Sequence, residues 1–205
     1  MKKRKAFGPQ KKGDSMTNTN SKAKSKFNAK DIAFIALFTC LMAVCSWISI
    51  PTTVPFTLQT FAVFMAVLCL GGKKGTISIL VYILLGAVGV PVFANFTGGV
   101  GILLGSTGGY IIGFLLTGIL FWVCRGIAYK NIVMNIIFCA VGLIICYAFG
   151  TVWFMVVYGN TTGSIGLWTA LMWCVIPYIA WDALKIGLAV VISRKLRPVL
   201  QKFMS

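Results

Sequence analysis

Two residues of opposite charge stand three apart inside an apolar run: Asp182 and Lys185, within residues 169–193. At helical pitch they share one face, with Tyr178 one turn before Asp182. A charge well inside a membrane helix costs on the order of 2.5–3.5 kcal/mol on insertion scales, so each must be matched. Two accounts fit the pair. It neutralises itself and merely fixes helix packing, or it forms a polar substrate site, with Asp182 accepting N–H donors and Lys185 holding an anionic group. Intramembrane charges mark function by default, which favours the second account. Gln59, early in another apolar run, must also find hydrogen-bond partners, and structural glue and ligand contact both remain open for it. Asn95 and Tyr110 are the polar tips expected to point inward from the glycine-rich segment Phe93–Tyr110 (FANFTGGVGILLGSTGGY).

Other chemistries are excluded by what is missing. There is no histidine, and the acids are Asp14, Asp31 and Asp182 alone. A Ser–His or Cys–His nucleophile pair cannot be built, nor can a histidine-based metal site. Paired carboxylates would need a second buried acid beside Asp182. Cys40, Cys45, Cys69, Cys124, Cys139, Cys146 and Cys174 all fall in apolar segments without a Cys-x-x-Cys pair, and read as small core hydrophobes. Residues Gly71–Thr76 lack the spacing of a phosphate-binding loop. No catalytic residue, metal or cofactor is expected, and the chain is not read as an enzyme.

The elements that must hold these residues are membrane helices. Of 205 residues, 59% are hydrophobic and 11% charged, against roughly 45–50% and 25% in soluble domains. The chain therefore reads as an all-α, polytopic membrane protein. Six apolar spans follow one another at about 32–50, 56–71, 76–91, 101–123, 132–157 and 169–193. Spans two and three fall short of the roughly 17–25 residues a crossing needs, which suggests tilt or burial among neighbours. Gly101, Gly105, Gly109 and Gly113 recur every four residues, and close helix packing on one glycine face is the expectation there. Non-helical backbone lining a cavity at 97–99 and 106–108 is the alternative.

Charge orders these spans across the bilayer. The net charge is +16, and ten of the nineteen basic residues precede residue 31. Lys73, Lys74, Arg125, Lys130, Arg194, Lys195, Arg197 and Lys202 flank the other spans, while loops 51–55, 92–100 and 158–168 carry no charge. Six transmembrane helices with both termini cytoplasmic put every basic residue but Lys185 on the inside. That distribution is topogenic, so nucleic-acid binding is not expected and membrane lipid is. Residues 1–30 read as a disordered basic cytoplasmic tail, with Met16 as a candidate internal start, and residues 31–205 as one six-helix substrate-binding domain. A cleaved leader is not expected, because the first apolar run is too long and no Ala-x-Ala-like site follows it.

Four segments together carry a family likeness: Val54–Thr60 (VPFTLQT), Leu84–Phe93 (LLGAVGVPVF), Leu104–Phe114 (LGSTGGYIIGF) and Trp181–Lys185 (WDALK). In this order and spacing, over about residues 32–198, the chain resembles the BioY proteins. These are biotin-specific substrate-binding subunits, the S components of energy-coupling-factor transporters. The resemblance implies a six-helix S-component fold that binds biotin from outside. It also implies docking onto a transmembrane coupling subunit that carries two ATPases. It places Asp182 and Lys185 in the biotin pocket and matches Gln59, Tyr110 and Asn95 to family positions. The chain departs from the family pattern at Ala180-Trp181, where Pro-Gly is frequent, and at Ser106, where proline is. The first-helix Ala-x-x-x-Ala pattern survives only as Ala36-x-x-x-Cys40 and Thr39-x-x-x-Ala43.

A substrate-binding subunit of a biotin transporter is the favoured reading. Biotin carries a ureido ring with two N–H donors and a carboxylate tail, which suggests Asp182 toward the ring and Lys185 toward the carboxylate. The competing reading is a stand-alone secondary carrier for biotin or a related small carboxylate, with Asp182 as proton site. Against it stand the lack of visible inverted repeats and of a second intramembrane acid.

Overall fold

The computed structural model describes residues 27–50, 52 and 54–204, so most of the expected tail lies outside the described residues. The described residues are helical nearly throughout. α1 (Ala29–Trp47) opens on a capping box in which Asn28 and Asp31 satisfy each other's backbone donors. Asp31 also takes Lys74 Nζ at 2.5 Å. One buried carboxylate thus caps the start of α1 and ties it to the helix that carries Lys74, a role the sequence did not suggest.

A short antiparallel hairpin follows, β1 (Ser49–Ile50) with β2 (Phe56–Thr57), paired Ser49 with Thr57 and Ile50 with Phe56. α2 (Gln59–Leu70) has only twelve residues, and all but Phe61 are buried. A helix apolar on every side belongs inside a bundle, which explains its length: α2 faces protein rather than lipid. α3 (Gly72–Ala87) begins directly after Gly71, whose φ of +83° suits glycine. Its first turn holds Lys73 and Lys74, which the expected spans 56–71 and 76–91 leave between them. Thr39 Oγ1 reaches the Ser78 carbonyl at 3.1 Å and Ser78 Oγ reaches the Ile35 carbonyl at 2.9 Å, joining α1 to α3 with hydroxyls.

The fourth expected span is broken. A 3-10 turn (Ala94–Phe96) leads to α4 (Val100–Leu104), and after an interruption at 105–107 the chain resumes as α5 (Gly108–Val123). The single glycine face expected over 101–113 is therefore incorrect. Gly101 and Gly105 stand on the far side of the break, out of register with Gly109 and Gly113. Gly108 tolerates no Cβ, which would lie 1.8 Å from the Leu103 carbonyl oxygen. The close packing is real for the other two: Gly109 abuts Trp153 and Gly113 abuts Cys146. The opposite helix answers with Gly142 against Thr117 and Gly150 against Tyr110.

That opposite helix is α7 (Ile132–Thr161), reached through the short α6 (Arg125–Ala128). α8 (Leu167–Cys174) and α9 (Ile176–Met204) share the last expected span, divided at Val175. Among the described residues, three helices, α1, α7 and α9, are long and apolar enough to cross a membrane, while α2 and α5 are shorter apolar helices. Cys45, Cys69, Cys139, Cys146 and Cys174 are buried as expected, Cys124 is partly so, and Cys40 is exposed.

A Cβ at Gly72 would stand 2.4 Å from the Phe121 backbone oxygen. Gly72→Ala is expected to destabilise the protein by about 1–3 kcal/mol, because backbone cannot step aside as a side chain would. Gly126→Ala, with nothing within 4 Å, should leave the melting temperature unchanged or slightly raised. Equal melting temperatures for both variants would contradict this packing.

Candidate functional site

One cavity of about 230 Å³ gathers all six residues singled out from the sequence: Gln59, Asn95, Tyr110, Tyr178, Asp182 and Lys185. They come from four stretches of chain, α2, the turn around Asn95, α5 and α9, so the cavity exists only in the folded bundle.

Its polar centre is the α9 pair. Lys185 Nζ stands 2.8 Å from Asp182 Oδ1, and the two residues are 6% and 4% exposed. The ion pair of the packing account thus exists, and it lies on the wall of a cavity. A buried pair is tenable only when its remaining donors and lone pairs are also served. Lys185 donates a second bond to the Thr57 carbonyl at 2.7 Å, and its Nζ lies 4.0 Å from the Phe56 ring centroid. Asp182 Oδ2 accepts from the Tyr147 hydroxyl of α7. The small hairpin explains Phe56 and Thr57: pairing with β1 turns the chain back so that both sit beside α9.

Tyr178, one turn earlier on α9, donates to the Val54 carbonyl at 2.8 Å, and its ring stacks on Phe56 with centroids 5.7 Å apart. Its hydroxyl also lies 2.9 Å from Thr52 Oγ1. α9 therefore holds this segment at Thr52, Val54, Phe56 and Thr57. Tyr110 closes the α5 side, its hydroxyl 3.1 Å from Thr151 Oγ1 of α7.

Asn95 sits on a strained turn. Asn95 and Phe96 both have φ of +57°, a left-handed conformation that asparagine tolerates better than phenylalanine. Surrounding contacts hold it there. Trp47 Nε1 and Tyr82 OH bond the Pro91 and Val92 carbonyls at 2.8 and 3.0 Å, and Phe96 stacks on Trp47 at 5.0 Å. Ser49 Oγ donates to Asn95 Oδ1 at 2.8 Å. Strain of this kind costs about 1–3 kcal/mol per residue and concentrates at ligand sites.

Gln59 differs from the others. It is 5% exposed, it lines the cavity, and its Nε2 has no hydrogen-bond partner among the described residues. An unmade bond of this sort costs about 1–3 kcal/mol, which a ligand acceptor would relieve. The sequence missed Tyr147, Phe56 and Thr57 as site residues. Tyr147 carried a usable signal, a phenol inside an apolar span. The Thr57 contribution is a backbone carbonyl and had none.

The BioY family model matches residues 17–202. A protein of Pyrococcus horikoshii described as "Probable biotin transporter BioY" is 39% identical over 171 residues, 82% of this chain and 97% of that one. The biotin transporter BioY of Thermotoga maritima is 57% identical over 81 residues, 39% of this chain and 48% of the relative. Among solved structures, the S-component for biotin from an ECF-type ABC transporter superposes with a TM-score of 0.72 at 29% identity, covering 82% of this chain and 91% of that one.

Tyr147→Phe removes one hydroxyl and leaves Asp182 Oδ2 short of its donor. A loss of about 1.5–3 kcal/mol in stability is expected, the range for hydrogen bonds to charged groups. In an Asp182→Asn background the same substitution should matter much less, as a double-mutant cycle of melting curves would read. Equal losses in both backgrounds would show that the hydroxyl does not act through Asp182.

Proposed function

This chain belongs to the BioY family, and from that premise we propose that it is the biotin-binding membrane subunit of an energy-coupling-factor transporter. It captures biotin in the cavity between α2, α5, α7 and α9 and delivers it with an ATP-driven module. The observation that carries the reading is the unpartnered Gln59 amide beside a buried, net-neutral acid–base pair in one cavity. Its function is transport in the cell membrane, and the family is one of transporter subunits rather than enzymes.

The chemistry of the cavity suggests how biotin lies. Asp182 and Lys185 together carry no net charge and offer an acceptor next to a donor. A ureido ring is also neutral and presents N–H donors next to a carbonyl, so it complements the pair. A carboxylate at Lys185 would instead come close to Asp182 Oδ1, itself 2.8 Å from the same nitrogen, and like charges at that range repel. Burying a further charge is costly as well. We therefore assign the ring to Asp182 and Lys185, with Gln59 Nε2 donating to it, and the carboxylate tail to the more exposed end near Asn95. This replaces the expectation that Lys185 holds the carboxylate. Tyr110 and Tyr178 wall the ring.

The orientation proposed is six crossings with both termini cytoplasmic, the crossings being α1, α2, α3, α4 with α5, α7, and α8 with α9. The charge-free loops then face outward and the flanking basic residues inward. Residues 1–30 are proposed as a tail outside the domain. The coupling subunit and its ATPases are assigned as partners because the chain offers no phosphate loop of its own. Membrane lipid surrounds the apolar faces.

Single cysteines at Thr161 and Lys130 in a cysteine-free background test the orientation. Only the Thr161 site should react with an impermeant thiol reagent added outside. Labelling of the Lys130 site alone would invert it.

Ligand orientation is tested with biotin and its carboxylate-masked amide. Lys185→Ala should raise Kd about ten- to hundredfold for both, since about 1.5–3 kcal/mol is the range for a charge-assisted bond. Loss confined to biotin would put the carboxylate on Lys185, and unchanged binding of both would remove the pair from the site. Because the substitution strands the Asp182 charge, melting temperature and the fraction of binding-competent protein are measured on the same preparation.

A further inference from the structure

A second cavity, of about 620 Å³, opens between α7, α8 and α9. Its walls are aliphatic, among them Ile144, Ala148 and Val152 of α7, Leu171 of α8, and Ile179 and Ala183 of α9. Of the lining residues only Tyr147 and Thr151 carry a polar side-chain atom, and both atoms are turned inward. The Tyr147 hydroxyl donates to Asp182 Oδ2, and Thr151 Oγ1 lies 3.1 Å from the Tyr110 hydroxyl. The cavity thus offers its occupant no polar side-chain group.

Depth narrows the choice of occupant. At about 1.5 Å per residue, the α7 stretch 140–152 lies about 12 Å or more from either helix end. No charged residue lines the cavity, and Ile144 and Val152 are 65% and 61% exposed. The opening therefore faces the hydrocarbon layer. Water would find no partners there, and an extended peptide would leave its backbone groups unmet. A methylene chain needs neither, and the bilayer supplies it at that depth.

We propose that this groove is a specific site for one acyl chain of a membrane phospholipid, with Tyr147 as the wall that keeps the chain out of the neighbouring cavity. Leu143 and Tyr147 line both spaces. The phenol of Tyr147 is anchored to Asp182 on one side, and its ring faces hydrocarbon on the other. The acyl chain then acts as packing for the residue that orients the buried acid.

Native mass spectrometry of the full chain, released from bilayers of palmitoyl-oleoyl phosphatidylglycerol, tests the site. The wild type should retain one phospholipid after mild delipidation. Ala148→Trp, which fills the groove from α7, and Ala183→Leu, which fills it from α9, should each weaken retention at least about tenfold. Val133→Trp, on the exposed face of α7 outside the groove, should keep it. Two groove variants guard against one misfolding, and a wild-type-like melting curve qualifies each. No adduct on the wild type, or equal retention in all variants, overturns the site. An adduct with the mass of a second chain or of a free fatty acid overturns the choice of occupant. Tyr147→Ala opens the wall: added phospholipid should then raise its Kd for biotin while leaving the wild-type value unchanged. Identical lipid dependence in both would overturn the partition.

Discussion

The structure depends on one constraint, that the buried Asp182–Lys185 pair leave no charge or lone pair unserved. Attraction between the two does not by itself offset their removal from water. The remaining groups must be met, and each partner fixes another element. Tyr147 commits the register of α7 against α9. The Thr57 carbonyl commits β2, and through it the hairpin with β1. The Phe56 ring under the ammonium and against Tyr178 commits the orientation of that hairpin. A cavity wall, a helix pairing and a strand reversal thus follow from two ionised side chains on one face of α9.

Glycine makes the matching geometry possible on the other side. α5 and α7 approach through an exchange in which each helix supplies small residues to the other: Gly109 and Gly113 from α5, Gly142 and Gly150 from α7. Without hydrophobic driving force in lipid, such close contact supplies the association through dispersion and hydrogen bonding. It also brings Tyr110 to Thr151 and Tyr147 to the cavity. α2 completes the arrangement as a short helix with protein on nearly all sides, and its first turn holds Gln59 at the cavity rather than in lipid.

Much of this was legible in the sequence where a residue was out of place for its surroundings. Asp182 and Lys185 in an apolar run, Gln59 at the head of another, and Asn95 and Tyr110 around a glycine-rich stretch all converge on one cavity. The shortness of the second and third spans pointed to tilt or burial, and α2 is buried. What escaped was information that residue type does not carry. The Thr57 carbonyl is available at any residue and becomes a ligand to Lys185 only through strand pairing. The break at 105–107 was legible only as the alternative of non-helical backbone at 106–108, because spacing by fours fits a continuous helix equally well; the close approach of Gly108 to Leu103 exists only once the helix has failed. Asp31 drew no structural reading from the sequence because its partner, Lys74, lies 43 residues along the chain.

Interrupted backbone and binding chemistry coincide for a physical reason. In a bilayer a helix can end or break only where something else takes up the freed amides and carbonyls. Here the interruptions are the 49–57 hairpin, the turn around Asn95 and the gaps at 105–107 and 175. Protein donors meet the freed carbonyls: Tyr178 at Val54, Lys185 at Thr57, Ser46 and Tyr82 at Val92, and Trp153 at Gly105. Those same interruptions line or border the cavity. Continuous helices would have presented only side chains at fixed angles, with every backbone group already engaged. By breaking helices under cover of protein, the fold gains a concave wall with carbonyls and strained turns on it. The Gln59 Nε2 has no hydrogen-bond partner among the described residues, and under the proposed function that is the place where a ligand completes the network.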